Sequence, residues 1–98
     1  MPILGEGKIR IDKDEWGWHH GMATFAVRGP KNVCFRLLTT GADGVRRAEF
    51  VIVGVGCDTR FEVARSDTTW HGDITVEGYP MRVEIVKGGI VTFYNSAP

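Results

Sequence analysis

Apolar and polar residues alternate one by one along short stretches of this chain, and no helical period of about 3.6 residues persists for ten residues anywhere. Residues 22–28 put Ala23, Phe25 and Val27 on one face and Met22, Thr24, Ala26 and Arg28 on the other. Residues 60–65 set Phe61 and Val63 against Arg60, Glu62 and Ala64 in the same way. A period of two marks a strand with one face covered. The pattern predicts strands over 8–11, 22–28, 33–39, 45–55 and 60–65, and three more after residue 69. The centre of the longest, Phe50-Val51-Ile52-Val53, is apolar on both faces and predicts a strand covered on both sides.

Turn residues separate these runs: 29–32 (Gly-Pro-Lys-Asn), 41–44, 66–69, 77–80 and Gly88-Gly89. A two-residue hairpin at Gly88-Gly89 sets Lys87 opposite Ile90, Val86 opposite Val91, Ile85 opposite Thr92 and Val83 opposite Tyr94. A four-residue loop at 77–80 sets Val76 opposite Met81, Ile74 opposite Val83 and Asp73 opposite Glu84. One face then gathers Trp70, Ile74, Val76, Met81, Val83, Ile85, Ile90 and Tyr94 as core. The other carries His71, Asp73, Thr75, Arg82, Glu84 and Asn95, with Val86, Val91 and Phe93 among them.

Composition agrees with strands. Val, Ile and Thr total 26 residues, against 3 Leu, 6 Ala and no Gln. β-Branched side chains lose rotamer freedom in a helix and pack well on a pleated sheet. At 98 residues the chain is one domain, 1–98, because two cores would leave each half too small to stand alone. The expected fold is all-β: a single antiparallel β-sandwich or partly open β-barrel of about seven to eight strands with little or no helix. In so small a sheet protein, exposed edges would let strands pair across a dimer axis, giving a homo-oligomer through a sheet edge.

Charge narrows the partners. Twelve Lys and Arg balance twelve Asp and Glu. A nucleic-acid binder draws its affinity from clustered cations, so no nucleic-acid partner is expected. No apolar run approaches the roughly 20 residues of a membrane helix, and the first residues lack the basic and apolar segments of an export signal. A cytoplasmic setting with reduced thiols at Cys34 and Cys57, and no membrane contact, follows as the expectation. Cys34, inside the run Val33-Cys34-Phe35, reads as a buried thiol, and neither cysteine belongs to a C-x-x-C pair.

Two groups of residues carry candidate chemistry. Trp16, Trp18, His19 and His20 fall within Trp16-Gly17-Trp18-His19-His20-Gly21. If this segment is extended, both indoles project to one side roughly 7 Å apart, a spacing suited to stacking on a sugar, a base or a protein partner. The competing expectation is that the tryptophans close one end of the fold. His71, Asp73 and Glu84 meet on the wet face, where opposed carboxylates and an imidazole suit a metal or acid–base work. Arg82 beside them can compensate that charge. Neither a G-x-S-x-G elbow nor a P-loop is present, so no catalytic residues and no cofactor are assigned.

Asp67-Thr68-Thr69-Trp70-His71-Gly72 resembles the D-x-S-x-x-G element of PilZ domains, small β-barrels that bind cyclic di-GMP, with Thr69 in the serine position. That resemblance also implies an R-x-x-x-R arm. Here the nearest arginine pairs are Arg46-Arg47 and Arg60 with Arg65, and only 26 residues follow Gly72. The expected function is therefore a non-enzymatic binding or interaction module, its partner a protein or a small-molecule or sugar ligand, using the Trp/His-rich loop. The alternative is a small β-barrel enzyme or metal-binding protein using His71, Asp73 and Glu84.

Overall fold

A computed structural model describes residues 2–54 and 57–96. Eight strands follow one another: β1 (Ile3–Ile9), β2 (His19–Phe25), β3 (Gly29–Leu37), β4 (Arg47–Ile52), β5 (Thr59–Ser66), β6 (Thr69–Val76), β7 (Tyr79–Val86) and β8 (Ile90–Asn95). Each pairs antiparallel with the next, and β8 returns to pair with β1. The all-β reading holds, and the sheet is a closed barrel rather than a sandwich or an open one. Its wall leaves no strand without two neighbours, with the β5–β6 ladder the shortest, Ala64–Ser66 against Thr69–His71.

Closing eight strands leaves an interior about wide enough for side chains to fill. Phe50, Phe93, Val33, Val63, Val83 and Val91 fill it, each under 2% exposed. Phe93 packs on both Phe25 and Phe50, with ring centroids 4.8 Å and 6.0 Å apart. Val51 points outward between Cys34 and Arg60 and is nonetheless buried, so β4 is covered on both faces as its sequence predicts.

Several boundaries move. The first strand covers Ile3–Ile9 rather than 8–11. Residues 29–32 open β3, and the turn lies at Ala26-Val27-Arg28, which leaves Val27 exposed. The strand predicted over 45–55 is Arg47–Ile52, and the last residue of that prediction lies outside the described residues. Glu77-Gly78 alone makes the β6–β7 turn, with φ of 50° and 83°. Tyr79 and Pro80 belong to β7, and Ile74 pairs with Met81, two residues from the predicted register. A shift of two keeps every side chain on its predicted face. The β7–β8 loop has three residues, Lys87 to Gly89, and Ile85 pairs with Val91. A shift of one reverses the strand. Val91 and Phe93 point inward, while Ile90 is 49% exposed and Tyr94 leaves the core.

Candidate functional sites

The β1–β2 connection is a ribbon that runs on past the barrel wall. Arg10 N–H donates to the His20 carbonyl and Asp14 N–H to the Trp18 carbonyl. Asp14 organises the tip: one carboxylate oxygen accepts the Trp16 and Trp18 amides, both at 2.9 Å. Gly17, at φ 87°, takes the left-handed position that lets the chain reverse there. The segment is therefore a turn and not extended, and the two indoles part. Trp16 stands 70% exposed at the tip. Trp18 is half-buried under the Arg36 guanidinium, 4.5 Å above its ring.

The two histidines also separate, because neighbours on a strand face opposite ways. His20 lies on the outer face directly opposite Cys34 of β3. Its Nε2–H donates to Asp14 Oδ2 at 2.8 Å, which leaves Nδ1 facing the Cys34 Sγ at 3.5 Å. Bonding to His20 foremost, and to the Trp18 and Trp16 amides, holds the Asp14 carboxyl below its ordinary value. Cys34 was expected in the interior; it is half-buried on the outer face instead. Burial first, then the Asp14 and Asp58 charges, push its thiol up. The alternation Val33-Cys34-Phe35 already carried this orientation, since Val33 and Phe35 claim the interior.

His19 turns inward at the mouth of the barrel. Its Nδ1–H donates to the Arg10 carbonyl at 3.0 Å, and its ring meets Phe35 edge-on at 5.8 Å between centroids. Trp70 also packs edge-on against Phe35, at 5.2 Å between centroids. These rings, with Ile9 and Ile85, floor a recess of about 460 Å³. Arg10, Arg65 and Lys87 stand around it, Thr68 adds a hydroxyl, and no carboxylate lines it among the described residues. Arg65 is held in place by its Nε–H bond to the Asp67 carbonyl at 2.9 Å. The sequence reading found His19 but missed the arginines and Lys87, which are far apart in the chain and meet only through barrel closure. The segment resembling the PilZ element is the β5–β6 turn and the start of β6, and it brings Thr68 and Trp70 to this mouth.

The opposite mouth is a second recess of about 450 Å³, lined by Leu4, Phe25, Ile52, Val76, Tyr79 and Met81 among others. Arg28 and Glu77, in turns half the strand ring apart, form an ion pair at 2.6 Å over it. The packed midsection separates the two mouths.

His71, Asp73 and Glu84 do share the outer face of β6 and β7, with Arg82 in their midst. Asp73 pairs with Arg82 and His71 with Glu84, so the two carboxylates are not opposed. Arg82 donates to His71 Nδ1 at 2.9 Å and to Glu84 at 3.4 Å, and its Nη1 lies 3.9 Å from Asp73. A guanidinium thus occupies the position a metal ion would need. Among the described residues no three His, Cys, Asp or Glu side chains gather as metal ligands do. No family model, no curated protein and no solved structure matches this chain.

Proposed function

We propose that the protein is a non-enzymatic binding module that holds a small amphipathic anion in the mouth beside His19 and Trp70. One observation carries this reading: three cations ring an aromatic floor and no described carboxylate accompanies them. The recess falls within the usual size for a small-molecule site, and its apolar floor suits a flat ring or short acyl body. Arg10, Arg65 and Lys87 would meet the acid group at the rim, where the charge stays partly hydrated. Phe50 and Phe93 block the channel below, so the ligand sits across the mouth and does not thread the barrel. A reducing, cytoplasmic setting fits Cys34 and Cys57, both unbridged.

The test is titration with 1-anilinonaphthalene-8-sulfonate and its uncharged relative N-phenyl-1-naphthylamine. The sulfonate should bind one to one, more tightly than the neutral probe, and be displaced by laurate. Arg65→Glu with Lys87→Glu should weaken it at least about tenfold. A folded double variant that binds the sulfonate as well as the original chain would overturn the proposal.

A second reading has its own support in Trp16. An indole 70% exposed at a ribbon tip fits a pocket on a protein partner. Loss of partner capture by Trp16→Ala, with laurate binding unchanged, would distinguish that surface from the mouth.

A further inference from the structure

We infer that Cys34 is a nucleophilic thiol, with His20 as its base and Asp14 as the group that orients the base, forming a site of covalent modification by a small uncharged carbon electrophile. The three side chains stand in the order such chemistry requires: thiol to imidazole at 3.5 Å, imidazole to carboxylate at 2.8 Å. Independent elements fix each member. Ladder register sets His20 opposite Cys34. Asp14 is held by two backbone amides, so its second oxygen stays aimed at His20. The tautomer follows from these bonds, because a proton on Nε2 leaves Nδ1 free to take the thiol proton.

The surroundings select the electrophile. Along β3, Asn32 and Arg36 share the outer face with Cys34; on β4 the neighbours are Glu49 and Val51, beyond them stands Arg60, and Asp58 is near enough for its charge to act on the thiol. Both arginines are engaged by Glu49, at 3.6 Å and 2.8 Å. At the sulfur itself the Asp14 and Asp58 charges act against that of Arg60, which makes the site weakly negative and opposes an anionic reagent. In the step itself, the Cys34 S–H bond breaks and its proton moves to His20 Nδ1. The sulfur pair forms the S–C bond, the leaving group departs with the carbon's former bonding pair, and the imidazolium then gives its proton to water.

Burial and the nearby carboxylates hold the thiol above its ordinary value, so reaction near neutrality has to pass through His20. Alkylation by iodoacetamide in a Cys57→Ser background tests this, with iodide as the leaving group. The reaction at Cys34 should already proceed at pH 7, below the range in which the raised thiol ionises, at a rate that depends on the His20 imidazole. His20→Gln should slow it about tenfold or more at pH 7 and leave only a rise at thiol ionisation. Added imidazole should restore part of the rate in His20→Ala. Asp14→Asn should slow the reaction, since the imidazole loses the carboxylate that orients it. Iodoacetate should react more slowly than iodoacetamide. His20 is exposed, so thermal unfolding should be little changed in its variants. A single inflection in or above the ordinary thiol range, identical in His20→Gln, would overturn the inference, as would indifference to imidazole.

Discussion

Gly7 of β1 faces Ala23 of β2 inside the barrel, so close that a Cβ on Gly7 would lie 2.5 Å from the Ala23 Cα. The nearest atoms are backbone, Met22 O among them, so no side chain can swing away. Gly7 and Gly21 bring these two strands together where the ribbon leaves the wall, and that contact positions both His19 and His20. Gly7→Ala should cost ~3 kcal/mol and lower the denaturant midpoint without changing the slope. Stability equal to that of the original chain would show that the strands can part.

The β7–β8 register separates two neighbours of similar hydrophobicity. Ile90 is half-exposed while Phe93 is fully buried on two other rings. Phe93→Ala should cost about 3–5 kcal/mol, whereas Ile90→Ala should stay within about 0.5 kcal/mol. Chemical denaturation of both variants decides the matter. The reverse order would mean the strand sits one residue out.

The same strand shows how far the sequence alone could lead. The two candidate partners of Ile85, Thr92 in one register and Val91 in the other, differ by one residue of loop length. Two adjacent glycines permit either loop, and both take positive φ here. At Val91 and Phe93 hydrophobicity favoured the interior, yet Ile90 and Tyr94 offered an equally apolar face. Strand identity was legible because alternation is local, as at Phe61 and Val63. Closure was not, because the β1–β8 pairing joins the two ends of the chain and no short-range pattern encodes it. For the same reason His19 could be singled out, while its meeting with Arg65 and Lys87 could not. Asp14 was legible in principle: an Asp three residues before Gly17 can bond its own turn.

The Arg28–Glu77 pair bridges the far mouth with both side chains more than half exposed. Water and salt screen such a pair, so its double-mutant coupling should be below about 1 kcal/mol and vanish in high salt. Its removal should instead speed uptake of N-phenyl-1-naphthylamine by the recess beneath, measured by stopped-flow fluorescence. Unchanged uptake in Arg28→Ala with Glu77→Ala would show that the pair does not restrict access.

Acid should weaken the fold through two carboxylates whose folded values lie below their unfolded ones. Asp43 is lowered to about 2, chiefly by its bonds with Arg47 and then by the Val45 amide. Asp14 is lowered chiefly by His20. A depressed carboxyl binds its proton more weakly in the folded chain, so its contribution is present above the unfolded value of 3.8 and is lost as pH falls toward about 2. Both groups face water, which keeps the contribution small. The melting temperature should therefore decline between about pH 4 and pH 2. Asp43→Asn should flatten the lower part of that decline, and Asp14→Asn should remove a share of it while releasing the ribbon tip. If Asp43→Asn leaves the acid limb of the melting curve unaltered, the Asp43–Arg47 bonds seen here, at 2.8 Å and 3.3 Å, do not persist in solution.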